Sequence, residues 1–156
     1  MELLARNALR EGSGVSFASA GIHGLADQPI DEVVAAALPR EVDTSSFRSR
    51  LLTRGLLVGA DLVVTAEAAH RRFILDDQPL LFRKVVTLGQ ATGVVRRAGP
   101  GLTRADLPVS IASARGQAHP ADDVLDPYGR GLEAATAMVR RVQGLLNEML
   151  PVLERE

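Results

Sequence analysis

Asp122-Asp123-Val124-Leu125-Asp126-Pro127-Tyr128-Gly129 runs directly into a helix-forming stretch that reaches almost to the C-terminus. Leu132, Ala135, Val139, Val142, Leu146, Met149 and Leu153 recur at alternating steps of three and four, which gathers them into one apolar stripe. Arg140, Arg141, Gln143, Asn147 and Glu148 fall on the other side. Such a stripe lies on a core, so the acidic turn ahead of it is held at a fixed height over whatever that core supports. Asp126 is thereby a placed carboxylate. The tetrapeptide is ambiguous by itself, because Asp first, Pro second and Gly fourth is also what a plain type I turn prefers. On the residues alone, a positioned acid and a turn former both stay open.

The chain has 156 residues, 46% of them hydrophobic, which suits one domain over 1–156 with a single core. No run of about 18 apolar residues occurs, and no leader pattern of charged, apolar and small residues opens the chain. The expectation is a cytoplasmic protein that does not span a membrane. A net charge of −1 with interspersed signs leaves no polybasic footprint for nucleic acid or a membrane surface. At 3%, the aromatics are too few for a base-stacking platform. There is no cysteine, which excludes disulfides, cysteine-ligated zinc and a thiol nucleophile within this polypeptide. His23, His70 and His119 are too scattered for a metal site, and no cofactor is called for.

Upstream, Glu2 to Arg10 has helical composition and is broken by Gly12-Ser13-Gly14. Val15-Ser16-Phe17-Ala18-Ser19 alternates as a short strand, with the glycine-bearing loop Ser19 to Gly24 at its end. Pro29 with Asp31-Glu32 starts a helix through Val33, Val34, Ala37 and Leu38, which Pro39 stops. Thr53 can cap a short helix ending near Gly59. Leu62-Val63-Val64 is a continuous apolar run, the pattern of a strand covered on both faces. Ala66 to Leu75 reads as a helix with Thr65 as its cap, and Val85-Val86-Thr87-Leu88 as the next buried strand. Strands alternating with helices predict a three-layer α/β/α domain with a parallel sheet. From Gly89 to Leu125 the pattern is weak, apart from a short helix near Arg104 to Arg115, and so long a loop is expected to be functional or mobile.

Four segments in order resemble the low-molecular-weight protein tyrosine phosphatases, a family that also includes the thioredoxin-coupled arsenate reductases. They are Ser19-Ala20-Gly21 followed by Pro29 and Asp31; Val42-Asp43 with Arg48-Ser49-Arg50-Leu51-Leu52-Thr53; Ala60-Asp61-Leu62-Val63-Val64-Thr65 leading to His70-Arg71-Arg72; and Asp126-Pro127-Tyr128. The resemblance implies a four-stranded parallel sheet whose first strand is central and runs into a loop of the form Cys-x-Gly-Asn-x-Cys-Arg-Ser. Such a loop wraps a phosphate in backbone N–H groups at a helix start, lowers the cysteine pKa and adds an arginine fork. The thiolate then attacks phosphorus, while the aspartate of Asp-Pro-Tyr protonates the leaving phenol and later activates water.

This chain has the aspartate and no counterpart of the loop. Met1-Glu2-Leu3-Leu4-Ala5 matches the stretch just after the family's Arg-Ser-Pro, so the first central strand is expected to be missing. Phe47 stands where relatives often have a histidine, Ile22 where they have a threonine, and Gly129 where some have a second aromatic. By resemblance, Asp126 matches the general acid, Tyr128 an aromatic wall of the substrate cleft, and Ser19 a hydroxyl that braces the phosphate loop. Each also has a plain reading, as turn former, packing residue and strand-end turn respectively. His70, beside Arg71 and Arg72, reads as a solvated helix residue.

Two functions follow. One is a phosphatase whose natural chain starts upstream, inactive as it stands, which with its loop restored would act on a phosphotyrosine protein or a small aryl phosphate. The other is a non-catalytic, phosphatase-like domain that binds a partner. The absent strand is expected to leave a gap of roughly 10 Å between Val15–Ser19 and Leu62–Thr65. Either the Val15 strand moves inward to pair directly with the Leu62 strand, or a second copy fills the gap in a homodimer through the exposed sheet edges. A second copy or a marginally folded monomer is the expectation, since direct pairing would also have to move the flanking helices.

Overall fold

A computed structural model describes residues 1–10 and 12–155. Along the chain lie α1 (Glu2–Ala8), α2 (Glu32–Ala37), α3 (Arg54–Gly59), β1 (Val63–Thr65), α4 (Ala68–Asp77), a 3-10 turn (Pro79–Arg83), β2 (Val85–Thr87), α5 (Leu88–Ala98), α6 (Leu107–Ala114), a second 3-10 turn (Pro120–Asp122) and α7 (Gly131–Leu153). Side chains cap the starts of α2, α3 and α5. Asp31 Oδ1 accepts the N–H groups of Val33 and Val34, both at 3.0 Å, so α2 begins after the aspartate and not at Pro29. Thr53 Oγ1 accepts Leu56 N–H at 3.3 Å, as its place before α3 predicts. Thr87 and Gln90 form a reciprocal capping box, each backbone N–H meeting the other's side chain at 3.1 Å.

β1 and β2 pair in parallel, with Val63 beside Val85, Val64 beside Val86 and Thr65 beside Thr87. Strand alternation sends these side chains into two cores. Val63 and Val85 pack with Leu57 of α3 and Ile74 of α4, while Val64 and Val86 pack into the larger core with Leu88, Ala91 and the buried face of α7. The result is α/β/α layering around a parallel sheet. Helix α7 packs on α1, α2 and α5 and is the spine of the larger core. Its stripe is buried at Ala135, Val139, Val142, Leu146, Met149 and Leu153, but Leu132 is 54% exposed, because the first turn overhangs the core. No helix among the described residues is long and apolar enough to cross a membrane.

Two expectations need correction. The span from Gly89 is not loop: α5 occupies it through Ala98, with Leu88, Ala91 and Val94 buried. Val15–Ser19 is extended and its burial alternates, yet it belongs to no ladder. Among the described residues the only strand-like pairing nearby is a parallel bridge of Gly21 with Leu51. Phe17 O is taken by Nε and Nη2 of Arg6, at 3.2 and 2.8 Å, and Ser19 O by Nε of Arg50 at 2.8 Å. Gly21 O accepts Leu52 N–H at 2.8 Å. Residues 17, 19 and 21 share one edge of an extended chain, so arginine forks and one amide satisfy that edge in place of a neighbouring strand. The Val15 segment therefore does not pair directly with the Leu62 strand.

Candidate active site

The acidic turn is fixed from both sides. Ala68 N–H, at the start of α4, donates to Asp123 Oδ1 at 2.8 Å, and Val124 N–H donates to Ala66 O at 2.9 Å. Asp123 thus caps α4 from across the fold, where the sequence suggests Thr65; Thr65 instead donates its hydroxyl to Glu67 O at 3.1 Å. Gly89, in the first turn of α5, has its place because a Cβ there would lie 2.6 Å from Asp122 Cβ and 2.7 Å from Asp122 O. The turn after Val124 consequently sits over the carboxyl ends of β1 and β2. That end is where open parallel sheets bind ligands.

The backbone of β1 shows what lies beside this turn. Val63 N–H donates to Lys84 O at 2.8 Å, so by alternation Val63 and Thr65 face β2 while Leu62, Val64 and Ala66 face the opposite edge. On that edge Ala66 is taken by Val124, and Leu62 and Val64 have no partner among the described residues. In the Val15 segment, Ser16, Ala18 and Ala20 form the edge opposite to residues 17, 19 and 21 and are also without backbone partners among the described residues. The free edge of β1 runs toward the acidic turn, where Ala66 O meets Val124 N–H.

The side chains singled out from sequence are distributed around this arrangement. Asp126 is exposed, and its Oδ1 accepts Tyr128 N–H at 2.9 Å, which closes a local turn. Tyr128 is 80% exposed. Ser19 donates its hydroxyl to Glu2 Oε2, and Glu2 in turn pairs with Arg6 at 2.8 Å, linking α1 to the Val15 segment. Ser19 lines a hollow of about 120 Å³ with Met1, Val34, Phe47 and Met138; Asp126 and Tyr128 do not line it. His23 lies edge-on to Phe73, with ring centres 5.5 Å apart. In the Val42-Asp43 segment, Ser45 N–H donates to Asp43 Oδ1 at 2.9 Å and holds that carboxyl below its ordinary value.

No protein-family model matches the chain, and no curated protein matches it. Solved structures do. The YwlE arginine phosphatase from Geobacillus stearothermophilus superposes with a TM-score of 0.69 over 96% of this chain and 79% of its own, at 19% identity. A low-molecular-weight protein tyrosine phosphatase from T. tengcongensis does so with a TM-score of 0.66 over 96% of this chain and 85% of its own, at 22% identity. This is the low-molecular-weight phosphatase fold. Within that fold, sequence reasoning missed Arg6, Arg50 and Asp123, whose partners lie 11, 31 and 55 residues away. Nothing local marks such contacts. The start of α5 did carry a local signal, the Thr87-x-x-Gln90 capping pattern.

Proposed function

We propose that this chain is a low-molecular-weight phosphatase-like protein that is catalytically silent as it stands. One observation carries the reading: the fold is that of enzymes whose resemblance implies a cysteine nucleophile, and the polypeptide contains no cysteine. Asp126 is assigned the general acid and base, Tyr128 the cleft wall and Ser19 the brace of a phosphate loop. The open edges at Leu62 and Val64 and at Ser16 and Ala18 support a further strand between them, which would deliver such a loop beside the Asp126 turn. With such a loop, the substrates would be phosphorylated protein side chains or small aryl phosphates; the arginine phosphatase among the neighbours extends that class beyond phosphotyrosine. The setting is the cytoplasm, without nucleic acid or a membrane surface as partner.

A positioned acid contributes only about 100- to 10,000-fold of a far larger acceleration, so the chain alone is expected not to hydrolyse para-nitrophenyl phosphate. Preceded by a strand and a Cys-x5-Arg loop, it is expected to turn over, with Asp126→Asn harming poor leaving groups far more than good ones. Turnover by the chain alone near one per second, lost on Asp126→Asn, refutes the proposal.

The second reading is a binding domain without chemistry. It is favoured by Tyr128, whose 80% exposure suits a contact surface better than a cleft wall. The codons immediately 5′ of Met1 separate the two: an in-frame Cys-x5-Arg supports the enzyme, and a stop codon the binding domain. In that second case the open edges support pairing with a second copy, which light scattering on a sizing column reads directly.

A further inference from the structure

Beside the outer edge of β2 lie arginines that form no ion pair among the described residues. Phe82 is 45% exposed, and the guanidinium of Arg83 lies 5.7 Å and that of Arg115 5.6 Å from its ring centre. From α4, Arg71 reaches Val85 O at 3.1 Å, on the side of β2 that faces away from β1. Part of this is local structure. Arg115 Nη1 donates to Ile111 O and Ala112 O at 3.4 and 3.3 Å, as a cation at a helix C-terminus does. Those contacts explain where Arg115 lies, but they leave the charge uncompensated. The ion pairs among the described residues are Arg6 with Glu2, Arg10 with Glu154 and Arg96 with Glu148, and none involves Arg71, Arg83 or Arg115. Arg71 also feels Arg115: burial first, and then that like charge, hold its pKa below the ordinary arginine value. Cations held together against their own repulsion, with donors to spare, are what a multiply charged oxyanion completes.

We propose that Arg83 and Arg115, both against Phe82, together with Arg71 beside them on the edge of β2, form a binding site for a phosphomonoester dianion. A dianion fits better than a carboxylate, because it offers three terminal oxygens to several planar forks and comes closer to neutralising them. The exposed Phe82 ring supplies an apolar surface for whatever carries the phosphate. The site lies along the edge of β2 that faces away from β1, whereas the acidic turn sits over the carboxyl ends of the two strands. Free phosphate and a phosphorylated protein side chain share the chemistry.

The test is a titration of the intact chain, followed by NMR, with inorganic phosphate, a phosphoserine peptide and the same peptide unphosphorylated. Both phosphate probes are expected to saturate and the unphosphorylated peptide not to. Arg83→Glu, at an exposed side chain without a hydrogen bond among the described residues, is expected to weaken binding roughly 10- to 100-fold. Arg115→Gln, which keeps a donor for α6, is expected to weaken it as well; should that variant unfold, Arg83→Glu decides alone. A peptide that binds more tightly than phosphate assigns the site to phosphoproteins, and equal affinities assign it to the free anion. No saturation at millimolar phosphate overturns the proposal, as does affinity unchanged by Arg83→Glu. Affinity that changes on Asp126→Asn but not on Arg83→Glu would put the anion at the acidic turn and also overturns it.

Discussion

Two glycine-to-alanine changes should move stability in opposite directions, although both glycines lie in helices. Propensity alone favours Ala over Gly by about 0.8–1 kcal/mol at a helix interior. At Gly144 of α7 nothing lies within 4 Å of the added methyl, so that gain should appear undiminished. At Gly89 the methyl would stand 2.6 Å from Asp122 Cβ and 2.7 Å from Asp122 O. Comfortable carbon contacts need roughly 3.5–4.0 Å, so the shortfall is about 1 Å, and it falls on backbone tied down by Asp123 and Val124. Enduring the contact costs about 1–3 kcal/mol as overpacking. Moving the loop to relieve it instead sacrifices the Asp123 cap of α4, at about 0.5–2 kcal/mol. Either outweighs the propensity gain, and a net loss of about 1–2 kcal/mol is expected for Gly89→Ala. At roughly 2–4 °C per kcal/mol for a chain this size, Tm should fall by about 2–8 °C, against a rise of about 2–4 °C for Gly144→Ala. Thermal melts by circular dichroism, with urea midpoints alongside, measure both. A Gly89→Ala protein that melts at or above the parent would show that the acidic turn does not rest on α5, and the placement of Asp126 would fail with it.

Removing the cap directly should agree: Asp123→Ala is expected to cost about 0.5–2 kcal/mol, while Asp123→Asn, which keeps an acceptor for Ala68 N–H, retains most of the stability in urea melts. Equal losses from the two changes would argue against a cap. The Arg96–Glu148 pair predicts a pH dependence. The hydrogen bond from Arg96 holds the Glu148 carboxyl below its ordinary value, so the stabilisation is present above the unfolded pKa and is lost as pH falls through the folded one. Arg96 is more than half exposed and Glu148 about a third, which limits the effect to under about 1 kcal/mol and makes it weaken with salt. The stability gap between the parent and Glu148→Gln should therefore close between neutral and strongly acidic pH; a gap of constant size would show that the pair contributes nothing.

What was legible in the sequence is what local chemistry controls. The α7 stripe, the Thr53 cap and the two valine-rich strands are read from neighbours within a few residues, and they fold as expected. Leu132 continues the stripe in periodicity, but periodicity does not say where the core stops. Helix α5 was hidden because Gly89, Gly93 and Gly99 dilute its pattern, although the capping box marked its start. The Val15 segment has the alternation of a strand and no ladder, since alternation reports burial and pairing needs a partner. The residues that fix the candidate site, Asp122 against Gly89 and Asp123 on Ala68, meet across distances that no window along the chain spans.

The Val15 segment also bears on how this protein meets a peptidase. Peptidases take their substrates as extended chains, by adding them as strands through the main-chain groups of one edge. Ser16, Ala18 and Ala20 are exposed and present such an edge already made, while every helix must first unwind to offer one. Digestion accordingly has an entry point between α1 and α2, held from behind by the forks of Arg6 and Arg50. A strand paired on that edge would cover it, so the rate of cutting near Phe17 reports on whether the edge is paired.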